Sequence, residues 1–370
     1  MSNATIAPSL PVMQEHFHEV ANVDYWVRLV LTAPSLFVAI GAPFAGLIID
    51  RFGRQPLLVI TLLVYGLAGS SGLWLNFLGM ILLGRALLGL SVAGIMTTVL
   101  TLIADYYVGS VRTQFIGLQS AFMALGGFLF LAVGGLLADI NWRLPFLIYL
   151  VAWLFLPLVL LLLPEPSRTK PSTLESIPAE PASLPVGLVT FTYGIALIAQ
   201  AVFYMIPVQL PFYLQGLTNA NATQSGLAIA LSTLSVAVSS MLYQRIKARL
   251  TFISIYEITF LSMGVGYGII SLATSYGMVL LGLAIAGFGL GLLLPNMNLC
   301  LTSITPTVLR GRTLGGLTTC FFLGQFISPL LSQPLSQWIG LGPAYGLAGA
   351  LLVVLALVTL VVMSRPKRWA

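Results

Sequence analysis

Eleven stretches of this chain are each about 20 residues or longer and almost wholly apolar, enough to cross the hydrocarbon core of a bilayer as helices. They begin with Tyr25–Ile49 and end with Pro343–Met363, and most are joined by short loops. A soluble fold is excluded by charge. Asp, Glu, Lys and Arg make up 7% of 370 residues, where roughly a quarter is usual for a solvated surface. A transmembrane barrel is excluded by pattern, because its strands would alternate polar and apolar residues over about ten positions. These runs are continuous and rich in Leu, Ala and Gly. The expected class is an all-α polytopic membrane protein.

Basic residues give the expected orientation. If the loop at Asp50–Gln55 is cytoplasmic and the loops alternate, thirteen of the sixteen Lys and Arg residues fall on the cytoplasmic side. Arg28 and Arg143 fall near the opposite face, and Arg85 lies within a span. The net charge of +6 is therefore a topology signal and not a nucleic-acid footprint, which would need a clustered, solvated patch. The C-terminus is expected in the cytoplasm. Residues Met1–Phe17 are apolar and punctuated by proline but too short to span, and read as the exit end of a helix whose beginning is absent. Cys300 and Cys320 match neither a disulfide framework nor a zinc spacing.

One segment breaks the apolar pattern. Residues 164–184 are rich in Pro, Ser and charge and cannot bury enough apolar surface to fold. They divide the chain into an N-terminal bundle, 1–163, and a C-terminal bundle, 185–370. The halves carry a weak internal echo. Asp50-Arg51-Phe-Gly53-Arg54 follows the first complete span, Gln244-Arg245-Ile-Lys247 occupies the matching place later, and Arg112-Thr113 is matched by Arg312-Thr313.

The run Gly46-x-x-x-Asp50-Arg51-x-Gly53-Arg54 resembles the signature of the major facilitator superfamily between helices two and three, with Gln55 where a base is usual. The resemblance covers nearly the whole chain. It implies two six-helix bundles in pseudo-two-fold relation, the first helix here incomplete, and a conformational latch at the motif. Gly46 would allow close helix approach, Asp50 would pair with a guanidinium or cap a helix, and Gly53 would permit a tight turn. The alternative for the motif is a basic loop that only sets topology. Arg85 resembles the helix-four arginine that the superfamily associates with proton coupling; the alternative is a structural arginine that caps carbonyls or snorkels. Gly117, Gly126, Gly134 and Gly135 resemble the helix-five pattern of drug/proton antiporters, with Phe130-Leu131 in place of its Gly-Pro, and would serve as packing or hinge positions. Trp142-Arg143-x-x-Phe146 agrees with efflux members.

A coupled proton needs a titratable site. Glu257 is an acidic residue within a span, and burial could raise its pKa towards neutrality; a peripheral structural Glu is the alternative. Asp24 and Arg28, four residues apart, are either an external gate pair or a surface ion pair. His16 and His18 read as loop bystanders. Gln119, Gln200, Tyr204, Gln209, Asn296, Asn298 and Gln325 are polar groups that hydrocarbon would penalise, hence candidates to line a path between the halves; for the two Asn, interhelical hydrogen bonding is the alternative. Enzyme chemistry has no support, since nucleotide-loop and HExxH motifs are missing and Gly264-Val-Gly266-Tyr-Gly268 lies within a span. The expectation is a proton-coupled exporter of a drug-like or siderophore-like amphiphile, monomeric, in the plasma (inner) membrane. It needs no cofactor or metal and binds no nucleic acid; its partners are the solute, protons and the bilayer. A metabolite uniporter or importer, and a non-transporting sensor or defective paralogue, are the other readings.

Overall fold

The computed structural model describes residues 4–165, 185–306 and 309–363, and those residues are helical with short connections and no strand. A 3-10 turn, Ala4–Ser9, leads into α1, Leu10–His16. There follow α2 (Val23–Phe52), α3 (Arg54–Gly69), α4 (Leu78–Tyr106) and α5 (Gly109–Ile140). A 3-10 stretch, Leu144–Phe155, continues into α6, Leu156–Leu162. Then come α7 (Val186–Phe203), α8 (Met205–Thr218), α9 (Ala222–Lys247), α10 (Phe252–Ser271), α11 (Tyr276–Ile304), α12 (Arg310–Ile339) and α13 (Leu341–Met363).

Eleven of the described segments are long and apolar enough to cross a membrane, with bounds within a few residues of those expected. The protein is thus an integral, multi-pass membrane protein. Helices α7 and α8 form one such span, Val186–Thr218, interrupted at Tyr204. Pro207 explains the break: it has no N–H to give the carbonyl four residues back. Helix starts are fixed locally. Asn221 and Gln224 form a reciprocal capping box on α9, and Thr251 and Ser275 cap α10 and α11. Apolar side chains such as Leu161 and Met241 stay about 82% exposed on the outer faces, as a hydrocarbon environment permits.

Within the first part of the chain α4 packs against α2 and α3; within the second α10 packs between α11 and α13, and α7 lies against α12. The two sets meet along α2–α12 and α5–α9. The α5–α9 crossing is close because both helices present glycine. A Cβ on Gly135 would sit 2.8 Å from the Ala222 carbonyl oxygen, and one on Gly226 would sit 2.7 Å from that of Leu131. A Cβ on Gly134 would likewise clash with the Thr5 carbonyl oxygen of the N-terminal turn. Helix α5 runs unbroken through Phe130-Leu131, and Gly134 and Gly135 are close-packed positions on it. Gly117 meets nothing within 4 Å, and Gly126 meets only its own helix's Phe130. Gly46 likewise meets nothing within 4 Å, which corrects the expectation of close helix approach there. Linker residues 166–184 and the tail beyond 363 lie outside the described residues.

Candidate functional site

The bundle has two chemically different ends: one carries Asp24, Arg28 and Asp139, the other Arg54, Arg112 and Arg310. At the Arg54 end, the α2–α3 turn passes through Gly53 at φ +102, a region closed to residues with a Cβ. The turn is held by Glu165, whose carboxylate accepts the backbone N–H groups of Arg54 and Gln55, each at 2.7 Å. This acceptor sits at the positive N-terminus of α3. Arg54 Nε pairs with Asp105 Oδ2 of α4 at 2.9 Å, and Gln55 Nε2 donates to the Val159 carbonyl of α6. Gln55, where a base was expected, therefore serves as a neutral clasp. Arg51 is exposed, its guanidinium 5.5 Å from the Phe52 ring centre; the Asp50 side chain lies outside what is described.

At the Asp24 end a polar relay joins α1, α2, α8 and α12. Arg28 is 4% exposed. Its Nε donates to Gln209 Oε1 at 2.9 Å, its Nη1 to Gln14 Oε1 at 3.0 Å and to the Asp24 backbone carbonyl at 2.7 Å. Its guanidinium carbon lies 3.9 Å from the centre of the Phe212 ring. Gln209 Nε2 donates to Gln333 Oε1 at 3.0 Å and to Ser332 Oγ at 3.1 Å. Gln333 Nε2 then donates to Asp24 Oδ2 at 2.8 Å, and Gln337 donates to the same oxygen. Asp24 and Arg28 are thus joined through two glutamines, and the direct side-chain ion pair expected from their spacing does not form. Gln209, expected in the solute path, is the centre of this relay. Beside it, the Asp139 carboxylate of α5 accepts the Ala222 N–H at 2.8 Å, the Thr223 N–H at 3.1 Å and the Thr223 hydroxyl, capping the N-terminus of α9.

Midway along the bundle, a cavity of about 370 Å³ lies among α5, α7, α9, α11 and α12. Its polar lining is Ser120, Gln200, Ser240 and Asn298; Leu290, Leu294, Met297 and Phe321 are among its apolar walls. Ser120, Ser240 and Asn298 are exposed and lie towards the Arg54 end of their helices, while Gln200 is buried at the floor. Gln325 Nε2 donates to Gln200 Oε1 at 3.4 Å and Gln325 Oε1 accepts from Ser35 Oγ at 2.8 Å, a relay from α2 across α12 to α7. A neighbouring cavity of about 520 Å³, lined by α2, α4, the start of α5 and α12, carries Arg112 at the same end.

Other expected lining groups lie elsewhere. Asn296 is fully buried and satisfied, accepting from the Tyr243 hydroxyl at 3.2 Å and donating to the Phe252 carbonyl at 3.0 Å; it is an interhelical clasp. Tyr204 sits at the α7–α8 break, 8% exposed, and Gln119 is half-buried beside Ser120, which takes the lining position. Glu257 is half-buried on α10 and lines none of these cavities. Arg85 of α4 is fully buried and does not snorkel. Its Nη1 donates to the Tyr149 hydroxyl at 2.8 Å, and its guanidinium carbon lies 4.7 Å from the Phe146 ring centre and 4.9 Å from that of Tyr149. Its Nε and Nη2 have no hydrogen-bond partner. The Trp142-Arg143-x-x-Phe146 run supplies the Phe146 ring of that wall. Arg143 anchors it by donating to the Gly72 and Leu75 carbonyls and to Asn76, and desolvation draws its pKa below the ordinary arginine value. Among the described residues there is no cluster of three or more His, Cys, Asp or Glu able to hold a metal ion.

Sequence reasoning missed Glu165, Asp139, Gln14, Gln333 and Gln337. Their partners lie far off in the chain, from 14 residues for Gln14–Arg28 to 313 for Gln337–Asp24.

The family model of the Major Facilitator Superfamily matches residues 1–255 and 192–370. The chain is 33% identical over 153 residues to the bacillibactin exporter of Bacillus subtilis, covering 40% of this chain and 37% of that protein. It is 34% identical over 112 residues to the niacin transporter NiaP of Acinetobacter baylyi, covering 30% and 26%. The matched regions thus span well under half the length of these relatives. The fold is similar to the crystal structure of a D-xylose-proton symporter, with a TM-score of 0.82 at 16% identity over 97% of this chain and 93% of that one. The helical bundle, the interface between its two sets of helices and the family match over the whole length show that this chain belongs to the Major Facilitator Superfamily.

Proposed function

We propose that this chain exports a drug-like or siderophore-like amphiphile across the plasma (inner) membrane, as a monomer, in exchange for protons. The cavity would open to either side as the halves 1–163 and 185–370 rock about it. The observation that carries the reading is the asymmetry of the bundle: a mainly apolar cavity with exposed lining towards the Arg54 end, and a buried polar seal at the Asp24 end. On the loop-charge argument the Arg54 end is cytoplasmic, so this is the state that would load solute from inside. The similarity to an exporter of bacillibactin supports export. The Gly53–Glu165 turn and the Arg54–Asp105 pair are the latch in this reading, and Arg85, Asp24 and Glu257 are the candidates for proton coupling.

Import or uniport of a metabolite is the second reading, favoured by the unbroken α5 and by the similarity to a niacin transporter. The test is flux in proteoliposomes holding the full chain, with an amphiphile panel and an imposed pH gradient. Uphill, gradient-dependent movement out of the Arg54-side compartment supports export. Saturable movement indifferent to the gradient supports uniport. No flux of any panel member, with correctly folded protein, sinks the transport reading in favour of a sensor or defective paralogue.

A further inference from the structure

Resting on the export reading, we infer that the solute carries a neutral hydrogen-bond-accepting oxygen, a ketone, ester or amide carbonyl, which meets the side-chain amide of Gln200. Gln200 is 1% exposed, lines the 370 Å³ cavity, and its Nε2 has no hydrogen-bond partner. The relay fixes which amide atom is left over. Ser35 Oγ donates to Gln325 Oε1, Gln325 Nε2 donates to Gln200 Oε1, and the Gln200 N–H groups remain. A buried donor without a partner is the arrangement that a ligand acceptor satisfies and that an apolar analogue leaves unsatisfied.

The rest of the lining sets the class. No residue of this cavity is charged, and its other polar groups are two serines and Asn298. A carboxylate or ammonium placed here would lose hydration without gaining a counter-charge. The volume lies within the roughly 300–1,000 Å³ typical of drug-sized ligands. The walls from Leu290, Leu294, Met297 and Phe321 suit an aromatic or branched apolar body. Because Ser35 lies on α2 and Gln325 on α12, the amide is also oriented across the interface that the proposed rocking would break.

The test uses benzophenone, a neutral diaryl ketone that inserts into nearby C–H bonds under near-ultraviolet light, on the purified full chain in lipid nanodiscs. Attachment is mapped by peptide mass spectrometry, with lipid-facing Leu161 as internal reference. The expected result is labelling of residues 290–298 of α11, displaced by 4-methylbenzophenone about fivefold more effectively than by its carbonyl-free analogue 4-methyldiphenylmethane. Gln200→Leu should lower the α11-to-Leu161 ratio about fivefold, the typical effect of losing one neutral hydrogen bond. Displacement by the hydrocarbon as strong as by the ketone would overturn the inference, and this arm needs no variant. So would stronger displacement by 4-benzoylbenzoate, or labelling confined to the lipid face. Binding needs neither gradient nor turnover. Labelling without flux would therefore refute the transport reading alone, and flux of other amphiphiles without labelling would refute this inference alone.

Discussion

Replacing Gln209 with Leu should open the Asp24 end. Gln209 is 0% exposed and joins three helices: it accepts from Arg28 Nε on α2 and donates to Gln333 and Ser332 on α12. Leucine fills similar space but makes none of these bonds. The charge-assisted bond contributes about 2 kcal/mol and each neutral one about 1 kcal/mol. With one of the neutral bonds recovered by local rearrangement, the sealed state loses about 3 kcal/mol. In an opened state water reaches the same groups, so the loss falls on the sealed state alone. At about 1.4 kcal/mol per tenfold, the sealed-to-open ratio should fall by roughly 150-fold. The assay is the pulsed electron–electron resonance distance between spin labels at Trp26→Cys on α2 and Trp338→Cys on α12, both exposed, with Cys300 and Cys320 replaced by Ala. The variant should gain a longer-distance population that the parent lacks. Superimposable distance distributions from both proteins, in folded samples, would refute the assignment of this relay as the seal.

Three further outcomes follow from the geometry. Gly53→Ala should lower thermal stability by about 1–3 kcal/mol, because alanine is strained at φ +102 and its Cβ would lie 2.8 Å from Glu165 Oε1; an unchanged melting curve would refute the account of the turn. Asp139→Ala removes three bonds to the start of α9 and should speed hydrogen exchange at Ala222 and Thr223 at least tenfold, while exchange near Gly53 stays as it was. Arg85→Ala should abolish gradient-driven flux if Arg85 couples protons. Retained driven flux in a folded variant would confine it to its packing role against Phe146 and Tyr149.

The spans were legible in the sequence because hydrocarbon enforces them residue by residue, and each long apolar run became a helix within a few positions of its expected limits. The Gly53 turn was legible for a local reason too, since only glycine suits its backbone. The seal was not. Spacing alone placed Asp24 beside Arg28, but the Asp24 carboxylate is turned to Gln333 and Gln337, and Gln209 takes the guanidinium. A glutamine that hydrocarbon penalises must find a partner, yet nothing in the chain says whether that partner is solute, as proposed for Gln200, or protein, as for Gln209 and Asn296. Glu165 was hidden by the proline-rich composition that follows it, although an acidic residue just after the fifth span is well placed to cap α3. Gly46 misled because a glycine in a motif reads as a close contact, and here it faces open space.

Alternating access to the central cavity is the core of this account, and sided chemical labelling of Asn298→Cys tests it most directly. Asn298 is exposed within the cavity lining. In oriented vesicles, with Cys300 and Cys320 replaced by Ala, a membrane-impermeant thiol reagent should react with this cysteine from the Arg54 face and not from the Asp24 face. Adding Gln209→Leu should make it reactive from the Asp24 face as well. Reaction from both faces without that change, as in an open pore, or from neither, would contradict a cavity gated by the Asp24–Arg28 relay.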